Sequence, residues 1–451
     1  MKDIYCLAIE SSCDETSMSI IKNGIEEICT VTNTQIDIHK EFGGVVPEIA
    51  SRSHIENITI VLDELFQRSK MTMDKIDIIG VTYGPGLIGS LLIGLQCAKT
   101  ISLVTGKPLI PVHHIAGHIY ANNLEKRLSF PLIALVVSGG HTDLIYMKED
   151  YSFKRIGSTL DDAVGEAYDK VAKICHLDYP GGPKVDKLSK LGKDTYDLPM
   201  PLDDDSYNFS FSGIKSAVVN LVHNEEQRGN PIRIEDMCKS FQDRVVHVIV
   251  KKTMKAIQKY GVKNLLLAGG VAANSYLREK LSEATSLENI NFRYPRIEYC
   301  TDNAAMIGAA AYYAYQKGII GNLEQNAVAV DSLYNEKKMS ILGMLDMDYE
   351  KLTNFKGDKI MDELKNEALK LNNNDDFVKY LSDEDEERLL KNSFIEQGIE
   401  QGIEQGIEQN KISTAKKMLE KNIDIDSIKE ITGLSLDEIK GLKKSSNKYQ
   451  A

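Results

Sequence analysis

Two stretches of the chain repeat the same order of features, and this repetition constrains the fold more than any other part of the sequence. Residues 3 to 31 contain an apolar strand, a polar turn and two more strands around Asn23-Gly24, a dipeptide that is a strong hairpin signal between apolar runs. Residues 130 to 148 again contain an apolar strand, a small glycine turn and a second strand. Since each stretch opens a run of alternating strands and helices, the sequence predicts an α/β protein with two related lobes and a cleft between them.

Further glycine turns follow apolar strands at GPGLIG, residues 84 to 89, and at AGGVAAN, residues 268 to 274. A strand, a glycine-rich turn and a helix present backbone amides to an anion. The first turn matches no standard phosphate loop, and tight helix packing would explain Gly89 and Gly94 equally well. Because such turns lie at the carboxyl ends of strands, we expect them to converge on one cleft that holds nucleotide phosphates.

The stretch HHIAGH, residues 113 to 118, is the candidate metal site. In a helix His114 and His118 project from the same face, one turn apart. Two imidazoles need a third ligand, and Asp302 is the candidate because it opens an apolar helical run in CTDNAAM. The alternative is a structural histidine pair without a metal.

Length, charge and cysteine pattern exclude several classes of protein. A chain of 451 residues is too long for one ordinary core, and its net charge of -12 argues against non-specific coating of nucleic acid. The lysines and Arg244 of an amphipathic helix around residues 236 to 261 are a candidate RNA-facing surface. Seven cysteines without a CxxC pair favour neither a disulfide framework nor a thiolate zinc site. An early acidic N-terminus and the absence of a long uncharged apolar run predict a cytoplasmic protein with no membrane partner.

The chain resembles the universal tRNA threonylcarbamoyladenosine transferase family, whose bacterial members are the TsaD proteins of the actin-like ATPase superfamily. Ten motifs of that family occur in the family's order over about residues 1 to 333, which makes chance resemblance negligible. The motifs are IESSCDETS, GGVVPEIASRSH, GPGLIGSLLIG, HHIAGH, VVSGGHT, TLDDAVGEAYDKVAK, YPGGP, FSFSGIK, AGGVAANSYLR and CTDNAAM.

The resemblance implies two actin-like lobes, residues 1–128 and 129–335, with the last helix of the second lobe packing back toward the first. It implies that His114, His118 and Asp302 hold one divalent metal, with iron favoured over zinc, and that Ser12 and Glu15 lie near the reactive end of a bound adenylate. The residues implied to bind that adenylate are Val136, Val137, Ser138, Gly139, Gly140, Asp169, Gly182, Asp186 and Asn274.

The activity implied by the resemblance is transfer of a threonylcarbamoyl group from threonylcarbamoyl-AMP to N6 of adenosine 37 in tRNAs that read ANN codons. The implied partners are a smaller actin-like paralogue (TsaB-like) and an ATPase (TsaE-like), and neither a membrane nor DNA. The chain departs from many bacterial members at Ala116, where they have glutamate. Because that position is not a ligand, we expect metal binding to survive.

Three other functions compete with this interpretation. A metallopeptidase would need HExxH, but Ile115 follows His114. An actin-like sugar or acid kinase would use the phosphate turns and leave the histidine pair without a role. The third alternative is a non-catalytic, nucleotide-binding scaffold in a tRNA-modification complex.

The composition changes after about residue 335. IEQ occurs four times from Ile395, three times followed by glycine and once by asparagine, which predicts a polar helix with isoleucine near one face, or a low-complexity segment. We predict a helical or linker region at 336–394, and this repeat helix followed by a short helical pair at 395–451. Residues 339 to 444 are similar to the C-terminal tail of PD-(D/E)xK transposase-like nucleases. The nuclease core has no counterpart here, so we assign no nuclease activity and hypothesise that the tail mediates oligomerisation.

Overall fold

A computed structural model of the chain describes residues 2–330. The chain divides into two units, Met1–Asn335 and Glu336–Ala451, and only the first contains described residues. The predicted helical regions at 336–394 and 395–451 therefore lie outside the described residues. The lobe boundaries at residues 128 and 335 stay predictions.

The first lobe is built on a five-stranded sheet in the order β3-β2-β1-β4-β5. Its strands are β1 (Tyr5–Glu10), β2 (Glu15–Lys22), β3 (Glu26–Thr34), β4 (Ile78–Gly84) and β5 (Leu109–His113). Its helices are α1 (Ile36–Lys40), α2 (Pro47–Ser69), α3 (Ile88–Thr105) and α4 (His114–Tyr120). Strands β1, β2 and β3 pair antiparallel, while β4 and β5 continue the sheet parallel to β1.

The second lobe repeats this topology, because its sheet has the order β10-β9-β6-β7-β8. Its strands are β6 (Leu132–Val137), β7 (Thr142–Met147), β8 (Lys154–Ser158), β9 (Asn264–Ala268) and β10 (Asn291–Arg293). Its helices are α5 (Val164–Ile174), α6 (Gly181–Ser189), α7 (Ser212–Gln227), α8 (Ile234–Tyr260), α9 (Ser275–Leu287) and α10 (Ala304–Gln316). Replacing β1–β5 by β6–β10 converts one order into the other, with the same parallel and antiparallel pairings. The prediction of two related α/β lobes is confirmed.

The Asn23-Gly24 hairpin has the backbone that its sequence predicts. Asn23 has φ 56° and Gly24 has φ 69°, and two consecutive left-handed residues are the requirement of a type I′ turn. Strand β2 already begins at Glu15. The polar turn between the first two strands is therefore limited to residues 11–14.

Helix α10 packs onto the sheet of the first lobe, against β1, β2 and β4. Its small residues allow this close approach: a methyl group added at Gly308 would lie 2.5 Å from Ile21 Cγ1 and 3.2 Å from Ala8 Cβ. The helix joins a buried apolar cluster with α4 and with Leu132, Ala134 and Val136 of β6. The N-terminus of α10 thereby comes to the carboxyl end of β1, where Ala304 N donates to Ser17 Oγ of β2.

Helix α3 is long and apolar enough by composition to be a candidate membrane span. Within the first lobe it packs against α2, β1 and β4, and Leu91, Leu95 and Ala98 are fully buried. Helices inside globular domains can have the same length and composition, and one such helix is weak evidence for a membrane span. We therefore interpret α3 as a helix of the first lobe.

The α10 packing predicts opposite effects for two alanine substitutions at helical glycines. Gly308→Ala should destabilise the protein by about 1–3 kcal/mol because the added methyl group overlaps Ile21. Gly213→Ala in α7 should be neutral or stabilising by up to about 1 kcal/mol, since nothing lies within 4 Å of the added group. Urea unfolding of both variants measures the difference, and equal stabilities would contradict this packing of α10.

Candidate metal centre

Helix α4 begins directly where β5 ends, so its first turn lies at the carboxyl edge of the first sheet. His114 and His118 share one face of this helix, with ring centroids 4.6 Å apart and ring planes at 80°. Gly117 lies between them against α10, where a methyl group would be 2.7 Å from Ile307 Cδ1. The glycine of HHIAGH therefore permits the close contact of α4 and α10.

Asp302 reaches the two histidines from the start of α10. It precedes Asn303, whose Oδ1 caps the helix by accepting from Met306 N at 2.9 Å. Asp302 Oδ1 lies 3.4 Å from His114 Nε2 and 3.3 Å from His118 Nε2. The three candidate ligand atoms all lie within 4.8 Å of one another.

The surroundings of His118 fit a metal ion better than a purely structural histidine pair. His118 is 1% exposed, and its ring nitrogens have no well-aligned hydrogen bond within the described residues, while Nε2 lies 3.3 Å from Asp302 Oδ1. A buried polar atom without a partner is costly, and a bound cation would satisfy Nε2. Two imidazole nitrogens and one carboxylate form a donor set that suits Fe²⁺ and also Zn²⁺.

The charges of the cluster depend on one another. Burial opposes the charged form of His114, but the carboxylates of Asp302 and Glu10 outweigh it and raise the pKa of His114 to about 10. Burial lowers the pKa of His118. For Asp302 burial acts in the opposite sense, but the charge of His114 and hydrogen bonds hold its pKa well below the usual range. A metal ion and a proton would compete for His114 Nε2, because a metal ligand must be the neutral imidazole.

Glu10 completes the cluster and was not among the predicted site residues. Its carboxylate is fully buried and accepts from Ser12 N at 2.5 Å and from Thr82 Oγ1 at 2.5 Å. Glu10 Oε2 also lies 3.4 Å from His114 Nδ1. Because a carboxylate only accepts, this contact places a proton on Nδ1 and directs Nε2 at Asp302. The available signal was an acidic residue ending the apolar strand YCLAIE beside a parallel neighbour.

The turn that follows Glu10 is fixed from several sides. Ser11 Oγ donates to Ser90 O of α3, and Leu87 N donates to Ser12 O. From α2, His54 bonds to Cys13 O at 2.9 Å and to Thr16 Oγ1 at 2.7 Å. Methyl groups added at Gly89 and Gly94 would overlap the side chains of Ser51 and Ser11, so these glycines allow α3 to pack closely. The GGVVPEIASRSH motif supplies the histidine that holds the turn.

Ser12 and Glu15, the predicted reactive-end residues, both lie beside the centre. Ser12 Oγ is 3.2 Å from His114 Nδ1. Glu15 Oε1 accepts from Thr34 Oγ1 at 3.4 Å. Burial, with the neighbouring carboxylates of Asp302 and Asp14, raises the pKa of Glu15 to about 10.

The predicted turn at Val136–Gly140 leaves the carboxyl end of β6. The side chains of Val136 and Val137 are buried in the core, so only their backbone atoms could contact a ligand. Ser138 Oγ accepts from His141 N and helps to close the turn. Gly139 and Gly140 are exposed, with nothing within 4 Å of an added methyl group. The tip of the turn therefore presents open backbone.

The other predicted adenylate residues are held in two groups around helix starts. Asp169 Oδ1 accepts from the amides of Gly181 and Gly182 at 2.8 and 3.3 Å. Asp186 Oδ2 accepts from Ser275 Oγ at 2.7 Å, and Asn274 caps α9. These hydrogen bonds gather α5, α6 and α9 on one side of the second lobe.

Gln242 joins the second of these groups and was not among the predicted site residues, because a glutamine in an amphipathic helix carries no signal in the sequence. It is fully buried, and its Oε1 accepts from Asn274 Nδ2 at 2.9 Å and from Tyr168 OH at 3.2 Å. Its Nε2 lies 3.4 Å from Asp186 Oδ1. One amide therefore orients both Asn274 and Asp186.

The cations of α8, predicted as a candidate RNA-facing surface, are paired within the lobe. Arg244 bonds to Asp194 at 2.7 Å. Four lysines of α8 also form ion pairs with aspartates: Lys239–Asp243, Lys251–Asp203, Lys252–Asp204 and Lys255–Asp205. Each of these five cations has an acidic partner, whereas Lys259 near the end of α8 is exposed. An RNA-facing role of this helix stays a prediction.

Comparison with known proteins identifies close relatives over the described lobes. The sequence profile of the TsaD family, described as tRNA N6-adenosine threonylcarbamoyltransferase, matches residues 26–309. The protein of that name from Staphylococcus epidermidis strain RP62A is 57% identical over 321 residues, which cover 71% of this chain and 94% of the relative. The Bacillus licheniformis protein is 57% identical over 327 residues, which cover 72% and 96%.

Among solved structures, HypF from T. kodakarensis resembles the chain with a TM-score of 0.51 and 14% identity, covering 72% of this chain and 50% of HypF. This likeness concerns the fold alone. In the tail, the profile of the C-terminal HTH domain of the Rpn/YhgA-like nuclease family matches residues 408–444. The predicted similarity of the tail to that nuclease group is thereby confirmed over those residues.

The contact of Glu10 with His114 predicts that Glu10→Gln weakens metal binding while the fold remains intact. Glutamine has the same shape, but its amide can donate to His114 Nδ1, which favours a proton on Nε2, and it removes a buried negative charge. Metal affinity, measured by competition with a chelator, should fall roughly 10–100-fold. Glu56→Gln, at an exposed glutamate of α2, should leave affinity unchanged, and equal affinities of the two variants would contradict this role.

Because the Asp143 side chain of β7 is buried, we expect Asp143→Asn to stabilise the protein, and more so at high pH than at low pH. The side chain is buried, and burial raises its pKa to about 6 from 3.8. Because its pKa is higher in the folded protein than in the unfolded chain, protonated Asp143 is tolerated in the core below about pH 4. As the pH rises through about 6 the buried side chain ionises, and this stability is lost. Asp143→Asn should gain on the order of 2 kcal/mol at pH 8 and almost nothing at pH 4.

Urea unfolding at both pH values measures this difference. The control is Asp197→Asn, at an exposed aspartate, which should show no such trend. A gain for Asp143→Asn that is the same at pH 4 and pH 8 would contradict the assignment of burial as its cause.

Proposed function

Because this chain belongs to the tRNA N6-adenosine threonylcarbamoyltransferase family, we propose that it transfers threonylcarbamoyl from threonylcarbamoyl-AMP to N6 of adenosine 37 in tRNAs reading ANN codons. The observation that supports this most is the convergence of His114, His118 and Asp302 beside the turn of Ser12 and Glu15. That convergence lies within a match that spans 94–96% of the relatives' length.

The residues that would hold a divalent metal are His114, His118 and Asp302, and we propose iron ahead of zinc. When bound, such a metal supplies Lewis-acid polarisation and orientation of the donor. The chain's own contribution is to place three ligand atoms on two packed helices, so that the ligands are fixed before the substrate arrives. Glu10 orients His114, and Asn303 fixes the start of α10 next to Asp302.

The second lobe would bind the adenylate half of the donor. We propose that Gly139 and Gly140, at the exposed tip of the turn that follows β6, face its phosphate, because exposed backbone amides bind anions. Asp169, Gly182, Asp186 and Asn274 would line the nucleoside, held by the hydrogen bonds around α6 and α9. The reactive carbonyl would then lie toward Ser12 and Glu15.

The reaction joins adenine N6 to the carbonyl carbon of the donor and breaks the bond from that carbon to the phosphate oxygen. N6 is a weak nucleophile because its lone pair is delocalised into the ring, so orientation is the main contribution of the site. AMP leaves, and its phosphate can accept the proton that N6 releases. The target base lies in a single-stranded anticodon loop, so little unpairing energy is needed.

Two further proposals extend beyond the chain itself. A smaller actin-like paralogue (TsaB-like) and an ATPase (TsaE-like) would act with it, and the reaction would occur in the cytoplasm. Of the alternatives, a peptidase is disfavoured because Ala116 and Ile115 leave no carboxylate next to the first histidine in the helix. A non-catalytic scaffold would bind nucleotide without forming modified adenosine, so transfer by the purified protein with its metal bound would argue against it.

The proposal predicts that His118→Ala and Asp302→Ala lose both the metal and the transfer activity. Each variant removes one of three ligands, so bound metal per chain should fall severalfold. The assay incubates each variant with tRNA, threonylcarbamoyl-AMP and the partner proteins, and measures modified adenosine by mass spectrometry of the digested tRNA. The amount of modified adenosine should fall at least about 100-fold. His223→Ala, at an exposed histidine of α7, is the matched control. Full product from variants that hold no metal would refute the proposed site.

A further inference from the structure

Four lysines follow one another at three-residue intervals along α6 and just beyond its end. Lys184 and Lys187 lie in the helix, Lys190 caps it and Lys193 follows it. Their positions rotate by about 60° per step, so the first three occupy one side of the helix. Val185 and Ser189 face the core instead. We call these four residues the α6 lysine stripe.

The stripe is exposed and only weakly neutralised. Lys187 and Lys193 are exposed and form no ion pair with another described residue. Lys184 pairs with Asp178, whose side chain is 88% exposed, and Lys190 lies 3.8 Å from Asp186. Lys184 is therefore paired as closely as the α8 lysines, at 2.7 Å, and the unneutralised charge of the stripe lies mainly on Lys187, Lys190 and Lys193.

Other lysines of the same lobe are neutralised by a run of acidic residues. Lys251, Lys252 and Lys255 of α8 lie opposite three consecutive aspartates, Asp203 to Asp205, at 2.6–2.7 Å. The chain as a whole carries a net charge of -12, so an exposed basic row is a local exception.

Helix α6 connects the stripe directly to the proposed donor site. Its first residues, Gly181 and Gly182, donate to Asp169, and Asp186 in its middle binds the start of α9. Lys184 is less than one turn from Gly182. The stripe therefore begins at the donor-binding residues and runs outward from them over the surface of the second lobe.

We propose that the α6 lysine stripe is a docking surface for the phosphate backbone of the tRNA substrate. This inference rests on the proposed function and adds the surface by which the RNA is held. Lysine ammonium groups bind phosphates as point charges without reading sequence, which suits an enzyme that must accept several tRNAs. An acidic chain repels a polyanion over most of its surface, so the exposed cations beside the site direct the RNA there.

The test is binding of unmodified ANN-decoding tRNA to the full chain at several salt concentrations. The variant is Lys187→Glu/Lys193→Glu, which reverses the two lysines without an acidic partner. The control is Lys259→Glu/Lys263→Glu, which makes the same change in net charge at two exposed lysines by the amino end of β9, at the opposite end of the sheet from the donor-site turns.

The stripe variant should bind tRNA at least about 10-fold more weakly than the control variant. The slope of log K against log salt should become shallower by roughly 1.5, since each lost phosphate contact removes about 0.7–0.9. Equal affinities and equal slopes for the two variants would overturn the inference, because the stripe would then not contact the tRNA.

The parent protein separates this inference from the proposed function. If the parent binds tRNA and forms modified adenosine while the stripe variant matches the control, the stripe inference fails and the function stands. If the parent neither binds tRNA nor forms product with its partner proteins present, the proposed function fails and the stripe inference with it.

Discussion

The close packing of α4 against α10 is the contact on which the candidate centre depends. Gly117 lets Ile307 and Met306 approach the helix that carries both histidines, and this approach brings Asp302 within 3.4 Å of each of them. The ligands therefore come from two segments almost 190 residues apart in sequence that meet only because α10 folds back onto the first sheet. Burying a carboxylate and two imidazoles is costly unless their charges are paired or bound to a metal.

The buried carboxylate of Glu10 extends this contact into the sheet. It receives hydrogen bonds from Thr82 on the neighbouring strand and from the backbone of Ser12, and it faces the ring of His114. The strand ends, the reactive-end turn and the metal ligands thus form one hydrogen-bonded assembly. His54 of α2 fixes the same turn from the outside. A change at any of these positions would be transmitted to the ligands through short, buried contacts.

The features of the fold and of the site that could be predicted from the sequence are those that depend on residues close together in the chain. The histidine spacing, the Asn23-Gly24 turn and the repeated strand units depend on periodicity and turn chemistry, and all appear in the structure. Glu10 and Gln242 were missed because their roles arise from partners far away in sequence. The ion pairs of α8 could not be predicted for the same reason, since the aspartates that face Lys251, Lys252 and Lys255 lie about fifty residues earlier.

The most direct measurement titrates metal back into the chelated protein and follows transfer of threonylcarbamoyl to tRNA in the same samples. The rate of product formation should rise in proportion to bound metal and saturate at about one metal ion per chain, as expected for a single site of three ligands. A metal-free chain that forms modified adenosine at the full rate would contradict the account, because His114, His118 and Asp302 would then have no role in the chemistry.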